Sequence, residues 1–290
     1  MERKNNVYFY MITPLIVYLI ISVAIPAIYF FSLTFKDWNL TRPGSNVFIG
    51  ISNYIKMFKD KEFWSSFRVT MFFIAVPTVI QMVLGLALAL LLNREWKLVK
   101  VARAFYIIPM VLPPIIVGLT WKILFIPQLG GLNFYLNQIG ISAPDWLNSP
   151  IYARWAIVIA AVWEWTPFVF LMLLAGLENI PQTPFEVALV DGANKLQRFF
   201  HITIPLLKPY LIVVLLFRII ESVKVFPLIF AMTQGGPGAS TENMDFYAYV
   251  RSFKYFEISY GATLLVVVFL IVFLFSVLFI NSRIKEEMRY

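Results

Sequence analysis

No cysteine occurs in the 290 residues, so disulfides, thiolate nucleophiles and cysteine-based metal sites are excluded, while the redox compartment stays open. Histidine occurs once, at His201; a lone imidazole is usually a packing or surface group, so it is assigned no role and no metal site is expected. The motifs of several chemistries are missing as well. Without a G-x-x-x-x-G-K-[ST] phosphate loop the chain cannot itself bind and hydrolyse ATP, and without H-E-x-x-H or G-x-S-x-G it lacks the marks of a membrane protease or hydrolase. Charge is also scarce. Only 14% of residues are charged, against about 25% in ordinary globular domains. No internal repeat or low-complexity tract breaks the chain, so a single domain over residues 1–290, with its core at 69–281, is expected.

Apolar surface takes the place of charge: 60% of residues are hydrophobic and 17% aromatic. A helix needs roughly 20 consecutive apolar residues to cross a bilayer. Six stretches reach that length, Tyr8–Leu33, Val69–Leu92, Ala104–Phe125, Trp155–Leu177, Tyr210–Met232 and Tyr260–Ile280. The expected fold is therefore all-α, a polytopic membrane protein with about six transmembrane helices. Arg3 and Lys4 give the first stretch the look of a signal sequence, but it is too long and no small-x-small cleavage site follows, so an uncleaved span is expected.

Lys and Arg in the connections set the orientation. One set of connections carries Arg3, Lys4, Arg94, Lys97, Lys100, Arg103, Lys195, Arg198, Lys208, Arg283, Lys285 and Arg289. The opposite set carries fewer over a greater length: Lys36, Arg42, Lys56, Lys59, Lys61, Arg68, Arg251 and Lys254. The richer side reads as cytoplasmic, and both termini fall on it. This bias, together with anionic lipid, accounts for the net charge of +8 without invoking nucleic acid.

Within the spans, Gly85 and Ala89 form a small-xxx-small pair suited to close helix approach. Pro77, Pro109, Pro113, Pro114, Pro167 and Pro227 each remove a backbone donor and favour kinks. Kinked helices suit a pathway that opens and closes, although prolines are frequent in membrane helices in any case.

The connection from Asn179 to Pro209 is the most informative segment. Thr183-Pro184-Phe185-Glu186 has capping-box spacing, with Thr183 expected to accept the Glu186 N–H and Glu186 to reach back. Gly192 is placed to end this short helix in a left-handed conformation, and Asn194 to Gln197 repeats the cap spacing for a second one. That second helix is expected to stop at Pro205, because the residue before a proline is pushed out of the helical region. Val187, Leu189, Val190, Leu196, Phe199 and Phe200 then lack a partner within the connection and need a groove.

The run Glu186-Val187-Ala188-Leu189-Val190-Asp191-Gly192-Ala193, followed by Phe199, Ile202-Thr203-Ile204-Pro205 and Pro209, resembles the EAA loop of permease subunits in binding-protein-dependent ABC importers. Val187 stands where that family usually has Ala, which keeps the helix small and apolar. Phe48-Ile49-Gly50, Asn53-Tyr54, Phe63-Trp64, Arg103-Ala104-Phe105, Ile108-Pro109, Gly131-Leu132-Asn133 and Thr233-Gln234-Gly235-Gly236-Pro237 extend the likeness to the carbohydrate-uptake branch of MalF-like and UgpA-like subunits.

The resemblance implies that residues 179–209 form a cytoplasmic coupling loop. In it Glu186, Ala188, Asp191, Gly192, Ala193, Phe199 and Pro205 would dock into a separate ATPase. It also implies two ATP-binding cassette subunits holding ATP and Mg, a second MalG-like permease, an extracytoplasmic sugar-binding protein, and residence in a bacterial or archaeal cytoplasmic membrane. No cofactor is expected in this chain.

Charges inside a membrane mark functional surfaces by default. Glu164 lies in the fourth span between Trp163 and Trp165, and Arg218, Glu221 and Lys224 follow one another along the fifth, where Glu221 can neutralise either neighbour. They form either a self-paired cluster that holds helices together or the wall of a wet cavity. Sugars are held by hydrogen bonds to hydroxyls and by stacking on aromatic faces, and this set supplies both. Trp121, Lys122 and Gln81 are weaker members. The rival reading is a proton-coupled secondary sugar transporter with Glu164 or Glu221 as its relay.

Overall fold

The computed structural model describes residues 2–93, 104, 106–127 and 129–287. Arg94, Lys97, Lys100, Arg103, Phe105 and Arg289, which figure in the expectations above, lie outside the described residues. The described residues contain five helical runs long and apolar enough to cross a membrane: Met11–Leu33, Lys61–Leu92, Pro150–Glu178, Lys195–Val223 and Ile258–Phe279. The shorter apolar helix Pro114–Leu124 stands within the remaining expected span.

The chain divides into two compact units, one holding the residues up to Ser65 with Tyr247–Phe269, the other holding Ser66–Phe246 with the residues from Leu270 onward. In the first, α1 (Glu2–Leu19) runs through the π turn Ile20–Ala24 into α2 (Ile25–Leu33). A two-stranded hairpin follows, β1 (Lys36–Asp37) antiparallel to β2 (Val47–Phe48), and with the isolated bridge Asn39–Glu257 it departs from the all-α expectation. Helix α3 (Ser52–Lys59) buries Asn53 and Met57. The Asn53 side-chain amide donates to the carbonyls of Thr34 (2.9 Å) and Lys36 (2.8 Å), satisfying acceptors that the end of α2 leaves free.

Helix α4 (Lys61–Leu92) is one unbroken element through Pro77. The expected third span is not. It forms α5 (Ile108–Val111) and α6 (Pro114–Leu124), with Leu112 and Pro113 extended between them at ψ 141° and 133°. Two consecutive prolines remove two donors, and each forces the residue before it out of the helical region. Helix α7 (Gly131–Gln138) and the long α8 (Pro150–Glu178) follow.

The Asn179–Pro209 connection holds α9 (Thr183–Val190), α10 (Lys195–Arg198) and the π turn Phe199–Thr203. The Thr183 capping box does not form. Gln182 occupies the N-cap in a helical conformation, α9 begins one residue earlier than that box requires, and no side chain caps it. The Asn194–Gln197 box does form, with reciprocal bonds of 2.9 and 2.8 Å. Pro205 does not end the second helix either. Ile204 stays helical at φ −62°, ψ −47° and donates to Phe199 five residues back. The wider π turn shifts the hydrogen-bond ladder just where proline lacks its donor, so the helix continues as α11 (Ile204–Val223).

The expected fifth span thus starts earlier than Tyr210. It also breaks at Lys224 (ψ 34°) before α12 (Phe226–Met232), because Pro227 cannot carry the ladder across the junction. Helices α13 (Met244–Tyr249) and α14 (Ile258–Glu287) complete the chain.

The core of the second unit is a seam along α8. Val169, Phe170, Leu173, Leu174 and Leu177 pack with Ile180, with Leu207 and Val214 of α11, and with Ala89 of α4. Small residues bring the backbones together, as they must where lipid is as apolar as leucine. A Cβ built on Gly85 would lie 2.5 Å from Val169 Cγ1 and 3.1 Å from the Phe170 nitrogen. Gly85→Ala is therefore expected to destabilise the α4–α8 contact by about 1–3 kcal/mol through overpacking, read as a lower Tm of the detergent-solubilised protein.

Candidate functional site

Three helices of the second unit bring together the intramembrane polar residues. Glu164 stands near the middle of α8 and Arg218 in the last turns of α11, and both are buried, at 1% and 2% exposure. Gln81 of α4 is fully buried and ties the α8 backbone to Arg218. Its amide nitrogen donates to the Ala161 carbonyl (2.8 Å), and its oxygen accepts from Arg218 Nε (2.8 Å). Arg218 Nη2 donates to Ser222 Oγ (3.3 Å), and Ser222 in turn shares a 2.9 Å bond with Thr78 Oγ1. The guanidinium lies 4.7 Å from the Trp165 ring centre, a cation–π contact.

Glu164, Trp165, Arg218 and Ser222 line a cavity of about 230 Å³, together with Phe73, Pro77, Pro114, Ala161, Glu221, Lys224, Val225, Pro227 and Leu228. The breaks before α6 and α12 supply two of its three prolines, Pro114 and Pro227, and α4 supplies Pro77. Trp163 is placed differently: it does not line the cavity, is 39% exposed, and stands edge-on to Trp121 at 5.9 Å. Glu221 neutralises only one of the two neighbours open to it. It pairs with Lys224 at 2.9 Å, whereas Arg218 is held by Gln81 and Ser222. Gln81, a weaker member by sequence, is the hub, and Thr78 and Ser222 extend the network without a signal in the sequence.

The connection between α8 and α11 presents most of its apolar residues outward. Phe185 packs against the core seam, and Val187, Leu189, Leu196 and Phe200 are all exposed, with Val190 reaching 89%. Glu186 and Asp191 are exposed, Ala188 and Phe199 partly so. Gly192 closes α9 at φ +77°, with its N–H bonded to Leu189 O and that of Ala193 to Ala188 O, a Schellman arrangement that Gly satisfies without strain. Two unlike features, an outward apolar helix and a cavity with charged residues in its wall, are joined by one helical run from Lys195 to Val223.

The family model described as "Binding-protein-dependent transport system inner membrane component" matches residues 81–290. The chain belongs to that family. It is 37% identical over 289 residues to the trehalose/maltose transport system permease protein MalF of Thermococcus litoralis, covering 98% of this chain and 96% of the relative. It is 36% identical over 259 residues to the sulfoquinovosyl glycerol transport system permease protein SmoG of Agrobacterium fabrum, covering 89% and 84%. Its fold matches the crystal structure of a bacterial ABC transporter involved in the import of the acidic polysaccharide alginate, with a TM-score of 0.81, 21% identity and 96% of each chain covered.

In this inner membrane component the first unit carries a second polar cluster that sequence reading did not find. Asp60 Oδ2 accepts from the hydroxyls of Tyr247 and Tyr260, both at 2.5 Å, and Arg251 reaches Tyr247 Oη, Glu62 and Glu257 at 3.0, 3.2 and 3.4 Å. Burial alone would raise the Asp60 carboxyl. The Tyr247 and Tyr260 hydroxyls, the Glu62 N–H and Arg251 outweigh it and hold the group below the usual carboxylate value.

In the second unit, burial pushes Asp245 up to about 6. A carboxyl raised by folding adds stability below its unfolded value of 3.8, and that contribution is lost as pH rises through about 6. Asp245→Asn is accordingly expected to stabilise the protein at pH 7 by roughly 1–3 kcal/mol, with the gain shrinking as the pH is lowered below about 6. Melting curves of both forms between pH 4 and 8 check it, and an unchanged pH dependence would refute it.

Proposed function

We propose that this chain is the pore-forming membrane subunit of an ATP-binding-cassette importer that carries a sugar or oligosaccharide delivered by an extracytoplasmic binding protein. The observation that carries the reading is the α9 face. Val187, Leu189 and Val190 lie exposed on a short helix that is fixed at one end by Phe185 and at the other by Gly192. An apolar face in a charged connection needs an occupant, and the ATPase expected by family resemblance fits that requirement. A proton-coupled secondary transporter leaves the face without purpose. The carbohydrate class is supported by the names of relatives aligned over most of both chains.

On this reading the partners are a second, similar permease, two ATP-binding cassette subunits that hold the ATP and Mg, and the binding protein. The chain sits in a cytoplasmic membrane with both termini on the cytoplasmic side, and the catalytic step belongs to the ATPase. Glu186, Ala188, Asp191, Gly192, Ala193, Phe199 and Pro205 form or support the docking element. Glu164, Trp165, Arg218, Glu221 and Lys224 wall the pathway, and Trp163 does not line it.

The lever between the two is the helical run Lys195–Val223, which carries Leu196 and Phe200 at one end and Arg218 and Glu221 at the other. A displacement at the docked end therefore moves the cavity wall directly. Access can alternate only if the two arrangements differ in affinity for sugar or binding protein.

Affinity purification of the tagged chain from its native membrane, followed by vesicle uptake assays, tests the proposal. Recovery of an ATPase and a second permease, with uptake that needs ATP and the binding protein, is the expected result. A chain that purifies alone and moves sugar along a proton gradient would sink it.

A further inference from the structure

The four charged side chains around the cavity are not equivalent. Lys224 and Glu221 close on each other at 2.9 Å and neutralise one another. Arg218 and Glu164 are left incomplete: Nη1 of the first and Oε2 of the second are buried, and neither has a hydrogen-bond partner among the described residues. Such atoms are uncommon in native structures because each loses its hydration without replacement. Here a donor and an acceptor lack partners beside the same cavity of about 230 Å³.

We infer that Arg218 and Glu164 form a donor–acceptor clamp that selects a neutral glycosyl unit and rejects anionic sugars, an inference that rests on the importer reading. A hydroxyl both donates and accepts. One sugar hydroxyl donating to Glu164 and a neighbour accepting from Arg218 Nη1 complete both groups at once. A phosphate or carboxylate offers acceptors only, so it serves Arg218, leaves Glu164 without a donor and brings negative charge beside Glu164 and Glu221.

Among the described residues that line the cavity no spare cation offsets that repulsion, since Lys224 is engaged by Glu221 and the rest of the Arg218 fork by Gln81 and Ser222. An amino sugar has the mirror defect, because its ammonium cannot accept from Arg218. Size agrees with one ring. A cavity of about 230 Å³ falls below the roughly 300–1,000 Å³ of sites for drug-sized ligands, so the remainder of an oligosaccharide would lie outside it.

The test uses the complete assembly purified with this chain, in detergent and without binding protein, examined by saturation-transfer NMR. The probes are glucose, maltose and trehalose against glucose 6-phosphate, maltose 6′-phosphate and trehalose 6-phosphate. At least one neutral sugar is expected to give a saturable signal, with its phosphorylated partner about tenfold or more weaker. Glu164→Gln, which keeps the shape and adds a donor, should weaken the neutral sugar about tenfold and shift the preference toward the phosphate. Arg218→Lys, which keeps the charge and loses the fork, should weaken the neutral sugar without that shift.

Phosphorylated sugars that bind as well as their neutral partners, no saturable neutral sugar at all, or an unchanged Kd in both variants would each overturn the clamp. Stimulation of ATP hydrolysis by the binding protein, measured on the same preparation, reports on the importer separately. If it persists while selectivity fails, only the clamp is wrong; if no ATPase accompanies the chain, the importer reading falls first.

Discussion

Arg218→Ala is expected to destabilise the membrane body by about 3–5 kcal/mol, the range for breaking a buried charged network from one side. The side chain is 2% exposed, it closes the hydrogen-bonding capacity of Gln81 Oε1 and Ser222 Oγ, and its guanidinium covers the Trp165 ring. Truncation leaves the Gln81 acceptor without its donor between α4 and α11, and opens a void where the longest side chain of the cluster stood. Adding Gln81→Leu to Arg218→Ala should recover part of the loss, since removing both partners costs less than orphaning one. Thermal unfolding of the wild type, both single variants and the double variant measures the coupling. Additive effects would show that Gln81 and Arg218 do not act as a unit, and the network described here would then have no energetic reality.

That network marks the boundary of what the sequence could disclose. The spans were legible because a bilayer demands long apolar runs, and a run is visible in one dimension. The Gly192 cap and the Asn194–Gln197 box were legible because each is completed within a few residues. Gln81 and Arg218 are 137 residues apart, and Asp60 and Tyr247 are 187 apart, so no local pattern announces that they meet.

The errors have local causes of their own. Thr183 has the right spacing to Glu186, but Gln182 already has helical backbone angles, which moves the start of α9 and leaves the threonine inside it. Pro205 was expected to stop a helix, and a π turn absorbed its missing donor. Apolar content alone could not place the gap at Leu112–Pro113 or the break at Lys224, because both segments remain hydrophobic across the interruption. It is these breaks that bring Pro114 and Pro227 to the cavity wall, so the hardest features to foresee are the ones that shape the site.

Val190→Asp separates stability from coupling more cleanly than any change in the cavity. Val190 is 89% exposed and α9 buries none of its residues, so the substitution is expected to change the Tm of the isolated chain by no more than about 0.5 kcal/mol equivalent. Against a partner, the same change places a carboxylate in an apolar contact. Loss of a central anchor weakens association by 2 kcal/mol or more, about 30-fold or greater. Co-purification of the proposed ATPase partner should therefore fall away while the chain stays folded and in the membrane. Glu186→Arg should act in the same sense, because no side-chain cap forms at α9 and a charge reversal there leaves the fold intact. Phe185→Ala should do the opposite, lowering Tm first, since that ring ties α9 to the core seam. A Val190→Asp protein that retains its ATPase and its transport rate would mean that the exposed face is not the docking surface, and the lever from Lys195 to Val223 would have no input.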